Sequence, residues 1–193
     1  MKKVTFILLA ISIIACKNSD SASHVEPNPE VNQTATDSSE HNTENMEIAP
    51  LLGEINEQDL KQEPFNKWFD SNYQDFTADE AIVEEIDKHI HDYEIVVFMG
   101  TWCSDSQRDI HQLFNLLEKV DYDQDRLKIF AVDENKQTPD HKEEEYNVAY
   151  VPTIIFMKNG EEVNRFVEFA QDSLAQDILK IVKGEDYKNP YAK

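Results

Sequence analysis

Ile95-Val96-Val97-Phe98-Met99-Gly100-Thr101-Trp102-Cys103-Ser104-Asp105-Ser106 reads as a buried apolar strand that runs into a Trp-Cys pair opening an amphipathic helix. Downstream, Ile110, Leu113, Phe114, Leu117 and Val120 recur at i, i+3, i+4, i+7 and i+10, the stripe of a core-facing helix. Such a helix start suits redox chemistry, because unpaired N–H groups and the helix dipole there favour a thiolate over a thiol. Three residues on, where a dithiol site needs its second cysteine, stands Ser106. The stretch carries half of a thiol–disulfide site, so function depends on what one sulfur can do.

The rest of the chain limits that chemistry further. It has 193 residues, two cysteines (Cys16 and Cys103) and a formal net charge of −21, from 18 Lys plus Arg against 39 Asp plus Glu. The length suits one globular domain with extensions. The acidity argues against nucleic acid as a partner, since phosphates are neutralised by Lys and Arg clusters that are absent here, and against a polybasic membrane patch. At the N-terminus, Lys2-Lys3 precede an apolar run from Val4 to Ile14 that is too short to span a bilayer as a mature helix. The run ends in Ile13-Ile14-Ala15-Cys16, which resembles the bacterial lipobox, where cleavage just before a cysteine leaves that cysteine lipidated. An ordinary signal peptide or a buried strand fits less well, because a polar run begins at Lys17. Residues 1–15 are therefore expected to be a lipoprotein signal peptide and Cys16 the lipid anchor. That places the protein in the bacterial cell envelope, extracytoplasmic, at the periplasmic face or cell surface. Cys16 would then be a thioether, leaving Cys103 as the one thiol in a compartment that permits disulfides.

Residues 16–47 are rich in Ser, Asn, Thr, Glu and Asp, with hardly any large apolar side chain, and are expected to form a disordered tether. Residues 48–79 are expected to form a helical N-terminal extension. There Leu60, Phe65, Trp68, Phe69 and Tyr73 fall at near-helical spacing, with Pro64 marking a break or a helix start. A second helix over 78–91 would be capped by Thr77, with Ala81, Ile82, Ile86 and Ile90 on one face. After the strand Glu94 to Met99 and the Cys103 helix come a strand at Leu127 to Val132 and a polar stretch, 134–145, read as a loop or short helix. Val151 to Met157 is a third strand, Lys158-Asn159-Gly160-Glu161 a hairpin signal, and Val163 to Phe169 its partner. A last helix, capped by Asp172 or Ser173, carries Leu174, Ile178, Ile181 and Val182 and closes at Gly184. The order predicts an α/β fold, a three-layer α/β/α arrangement with a mixed central sheet and helices on both faces.

Over roughly Glu80 to Val182, within a domain expected to span 80–193, the pattern resembles the thioredoxin family, through Trp102-Cys103-x-x-Ser106 after the first buried strand and Val151-Pro152-Thr153 followed by Lys158-Asn159-Gly160. The resemblance implies a thioredoxin-like domain, a cis peptide bond before Pro152, and that proline set against the reactive sulfur. It implies Cys103 and Ser106 as the catalytic positions, with Trp102, Thr101, Val151 and Pro152 meeting the substrate. Val151 would offer its backbone to an extended peptide, and Trp102 would be a lid over the sulfur or part of the core. The sequence departs from the dithiol pattern at Ser106, at Ser104-Asp105 in place of Gly-Pro, and at Val97 in place of a buried acid. Without a second sulfur, that acid's proton-handling task disappears as well.

A Cys103 thiolate can attack a disulfide, or a sulfenate at Cys103 can condense with a thiol; either route gives a mixed disulfide. Ser106 is too poor a nucleophile to release it, although its hydroxyl is at a spacing that could hydrogen-bond the sulfur. Release needs an external reductant thiol or the substrate's own second cysteine. The expected partners are thus protein or small-molecule thiols and disulfides, together with the membrane through lipid on Cys16. Asp105, in the first turn, opposes the helix dipole in its effect on the thiolate. The alternative is a non-catalytic thioredoxin-like module that holds a peptide beside Pro152. A peroxide-reducing enzyme fits worse, since that pattern wants Thr where Gly100 stands. No cofactor is expected, because no Gly-rich phosphate loop is present. No metal site is expected either. His89 and His91 face different ways on a helix, Cys103 and His111 lie about 12 Å apart along one, and His141 stands alone in a polar stretch.

Overall fold

The computed structural model describes residues 49–70 and 78–193. The expected signal peptide, the expected lipid anchor Cys16, the expected tether and the expected cap Thr77 lie outside the described residues. In chain order the elements are β1 (Gly53–Ile55), α1 (Glu57–Leu60), α2 (Asn66–Phe69), α3 (Glu80–Ile90), β2 (Glu94–Met99), α4 (Ser104–Lys119), β3 (Leu127–Ala131), α5 (Lys142–Glu145), β4 (Thr153–Lys158), β5 (Glu161–Val167) and α6 (Leu174–Val182). The strands form one mixed sheet in the order β1-β3-β2-β4-β5, so the α/β class expected from the sequence is the class that forms. β2 lies in the middle, parallel to β3 and antiparallel to β4, with Phe98 opposite Phe130 on one side and Thr153 on the other. A parallel pair needs a crossover, and α4 supplies it.

Side chains alternate across the sheet. Ile95, Val97, Met99, Ile129, Ile154 and Phe156 point to one face, where they pack with Ile86 and Ile90 of α3, Ile110 and Leu113 of α4, and Leu174 and Ile178 of α6. Val96, Phe98, Phe130, Val132 and Ile155 point to the other, where Tyr146 and Val148 cover them. The two outer layers are thus unequal. Three helices lie against the first face, while the second is covered by the connection between β3 and β4, which holds the one-turn α5. Phe98 stacks on Phe130 with ring centroids 5.2 Å apart, and Tyr146 leans on Phe98 at 5.6 Å. Arg165 of β5 holds this connection down by donating to the Tyr146 carbonyl at 2.9 Å and the Asn147 carbonyl at 3.3 Å.

Several boundaries differ from the sequence reading. Segment 48–79 is not wholly helical, because it adds β1 to the sheet edge, antiparallel to β3 with Gly53 opposite Ala131 and Ile55 opposite Ile129. Pro64, read as a break or a helix start, lies between the short α1 and α2, which bury Leu60 and Phe69. α3 starts at Glu80 rather than 78, because the Asp79 carboxylate accepts the Ala81 N–H at 2.9 Å and caps it. At the hairpin, Asn159 and Gly160 both have positive φ, 54° and 80°, as a two-residue type I′ turn requires. β5 therefore begins at Glu161, two residues before Val163. Of the two candidates for the last cap, Ser173 takes the role, its Oγ accepting from Gln176 N–H at 3.2 Å.

Candidate functional site

β2 delivers the chain to the end of the sheet, and the Gly100–Cys103 turn closes with Cys103 N–H donating to Gly100 O at 3.0 Å. The Cys103 carbonyl then accepts from Gln107 N–H at 3.0 Å, which makes Cys103 the N-cap of α4. The half-buried thiol lies 3.6 Å from the Val151 carbonyl oxygen and is placed to donate to it. The Val151–Pro152 peptide bond is cis, and both residues are buried. This loop is fixed at both ends: Thr153 Oγ1 donates to Tyr150 O at 2.7 Å, and Glu168 N–H donates to Pro152 O at 2.7 Å. Cys103 and Val151 thus come together from segments 48 residues apart in sequence, with Pro152 next in the chain.

The other expected site residues are placed differently. Ser106 is fully buried, and its oxygen accepts the Gly100 N–H at 3.1 Å, so its hydroxyl meets the backbone at the end of β2 rather than the Cys103 sulfur. Thr101 is buried, and its hydroxyl accepts from Leu51 N–H at 3.2 Å, while its carbonyl accepts from Gln107 Nε2 at 2.8 Å. The hydroxyl is therefore engaged by the backbone of the N-terminal segment. Trp102 is 37% exposed and donates its Nε1–H to Val132 O at 3.0 Å. Its indole lies over Gly100, where an added Cβ would sit 2.6 Å from Cε2, so Trp102 is a cover for that glycine and not a core residue. Trp102 also lines a groove of about 220 Å³ together with Thr101, Phe65 and Trp68. Val97, where a buried acid was expected in dithiol relatives, packs into the apolar core under α4.

Charge near the thiol is balanced locally. The Asp105 carboxylate accepts from Arg108 Nη1 at 2.6 Å, and Arg108 also grips Asp109 through Nε and Nη2, both at 2.8 Å. The Arg–Asp109 fork is the bidentate geometry that makes such pairs strong. Burial pushes the Asp109 carboxyl above its usual range, with Arg108 pulling it down only in part. The sequence reading singled out Asp105 and passed over Arg108 and Asp109, although Asp-x-x-Arg at i, i+3 on a helix is a readable pair. It also took His141 to stand alone, whereas His141, Glu143 and Glu144 bring one ligand atom each to within 4.8 Å of one another. Beside the Val151–Pro152 loop, Tyr150 and Tyr191 stack at 3.9 Å, Phe169 meets Tyr191 edge-on at 6.4 Å, and all three rings are exposed.

Residues 54–183 match the protein family described as thioredoxin. Among solved structures the chain is similar to a protein of unknown function from Pseudomonas aeruginosa, with 15% identity and a TM-score of 0.46 over 62% of this chain and 81% of that one. It is also similar to the thioredoxin of Fasciola hepatica, with 23% identity and a TM-score of 0.35 over 52% of this chain and 88% of that one. No curated protein matches the sequence.

Proposed function

This chain belongs to the thioredoxin family, and on that premise we propose that it is a lipid-anchored, extracytoplasmic protein of the bacterial cell envelope that exchanges disulfides through Cys103 alone. The observation that carries the reading is the Cys103 thiol at the start of α4, 3.6 Å from Val151 O, with a buried serine three residues on.

The Cys103 thiolate attacks one sulfur of a substrate disulfide. The substrate S–S bond breaks, its other sulfur leaves as a thiolate and takes up a proton, and Cys103 is left in a mixed disulfide. Once the Cys103 proton is gone, the Val151 carbonyl is free to accept an N–H from an extended substrate. Ser106 cannot release the adduct, since its oxygen is a poor nucleophile toward sulfur and already serves Gly100. An external thiolate attacks the mixed disulfide, its new S–S bond forms with the substrate sulfur, and Cys103 departs as thiolate. When a second external thiol then resolves the new disulfide, two electrons have passed to the substrate from outside the chain.

A second reading, a peptide-holding module without chemistry, draws on the exposed Tyr150, Phe169 and Tyr191 beside Pro152. One experiment separates the two. Wild type and Cys103→Ala are incubated with oxidised envelope extract and resolved without reductant. Exchange chemistry gives adducts with wild type only, and a small thiol dissolves them. No adduct from wild type overturns it, and equal capture of a partner by both proteins favours the module. The anchor is tested apart from this: Cys16→Ser should leave the membrane fraction while its domain stays folded, and persistent attachment overturns the lipid assignment.

A further inference from the structure

We propose that the connection between β3 and β4 carries a cation site of the kind that takes Zn²⁺, built by His141, Glu143 and Glu144. His141 Nδ1 stands 3.5 Å from Glu143 Oε1 and 3.5 Å from Glu144 Oε1. Tetrahedral zinc with N and O ligands at roughly 2.0–2.2 Å sets neighbouring ligand atoms about 3.3–3.6 Å apart. Two of the three edges of a coordination face therefore already have the required length. One imidazole and two carboxylates form an N/O donor set that zinc accepts, with a fourth position left for water.

The second observation is Glu143 itself. Its side chain is 6% exposed, and its Oε1 is buried with no hydrogen-bond partner. A carboxylate oxygen out of water without a donor is costly, and a cation removes that cost. The other oxygen, Oε2, is held by Thr138 N–H at 2.8 Å and Thr138 Oγ1 at 2.7 Å. Thr138 Oγ1 in turn accepts from Lys142 N–H at 2.7 Å, so the hydroxyl cannot swing away. With Oε2 fixed, Oε1 is the oxygen turned toward His141. A carboxylate ligand whose second oxygen is anchored by an outer hydrogen-bonding residue is the arrangement metal sites use to aim their ligands. Thr138 is the positioning residue here. The net charge of −21 adds a field that draws divalent cations to the surface.

The test uses the full chain, stripped of metal and titrated with Zn²⁺ against a chromophoric chelator, with Co²⁺ as a spectroscopic probe. His141 and Glu144 are exposed, so His141→Ala and Glu144→Gln leave the fold intact. Removing an outer-shell partner costs roughly 10–100-fold in metal affinity, and removing a ligand costs no less. His141→Ala and Glu144→Gln should each weaken zinc binding at least tenfold, Thr138→Val should weaken it by 10–100-fold, and the visible cobalt bands of wild type should vanish in His141→Ala. Cys103→Ser should leave the affinity unchanged. The proposal is overturned if wild type binds no zinc, or if His141→Ala and Glu144→Gln bind it as tightly as wild type.

Discussion

Gly100 shows how much one missing methyl can decide. Its N–H serves Ser106 and its open face receives the Trp102 ring. In Gly100→Ala the new Cβ would lie 2.6 Å from Trp102 Cε2, so the indole must move and its bond to Val132 O must give. Overpacking of this kind costs about 1–3 kcal/mol, read as a shift in the urea midpoint. Asp109 gives a pH effect with a definite sign. Burial raises its carboxyl above the ordinary 3.8, so the folded state holds a proton there that the unfolded chain has already released. Its contribution to stability is therefore fully present below 3.8 and falls as pH rises through the raised folded value. Relative to Asp109→Asn, wild type should be better off near pH 3 than at pH 7, and urea unfolding of both at the two values checks it. The positions of Cys103, Val151 and Pro152 were legible because W-C-x-x-S and V-P-T are local patterns. The inward turn of Thr101 was not legible, because its partner Leu51 lies fifty residues away and leaves no mark near Thr101.

At the scale of elements, legibility followed length and period. α4 and α6 carry apolar stripes over 16 and 9 residues, long enough for a 3.6-residue repeat to show. β1 has 3 residues, too few for alternation to appear, and only its pairing with β3 makes it a strand. α1 and α2 have 4 residues each and depend on the core they touch more than on their own propensity. The β4–β5 hairpin was readable from Asn159-Gly160, the pair that tolerates two positive φ angles in succession. Gly160 has open space where a Cβ would go, so Gly160→Ala isolates the backbone term. A left-handed alanine costs about 1–2 kcal/mol, and thermal unfolding should show a loss of that size without change in the Cys103 region.

Across the whole molecule, the sheet has a thick side and a thin side. α3, α4 and α6 bury one face, whereas Phe98 and Phe130 on the other are screened by Tyr146 and Val148 in a connection whose longest helix has 4 residues. The sequence predicted covered faces but gave no measure of their thickness, because a polar stretch such as 134–145 shows no period to read. Segments with few buried apolar contacts open first. Tyr146→Ala should lower stability by roughly 1–3 kcal/mol and speed amide exchange at Val148, measured by hydrogen exchange. The same connection runs directly into Val151, whose carbonyl oxygen lies 3.6 Å from the Cys103 sulfur. The wall of the thin side and the carbonyl that meets the thiol therefore belong to one connection and one apolar cluster, so a fluctuation that lifts the wall is expected to loosen the surroundings of the sulfur as well. Alkylation of Cys103 and exchange at Val148 should rise together in Tyr146→Ala, two readouts of a single opening.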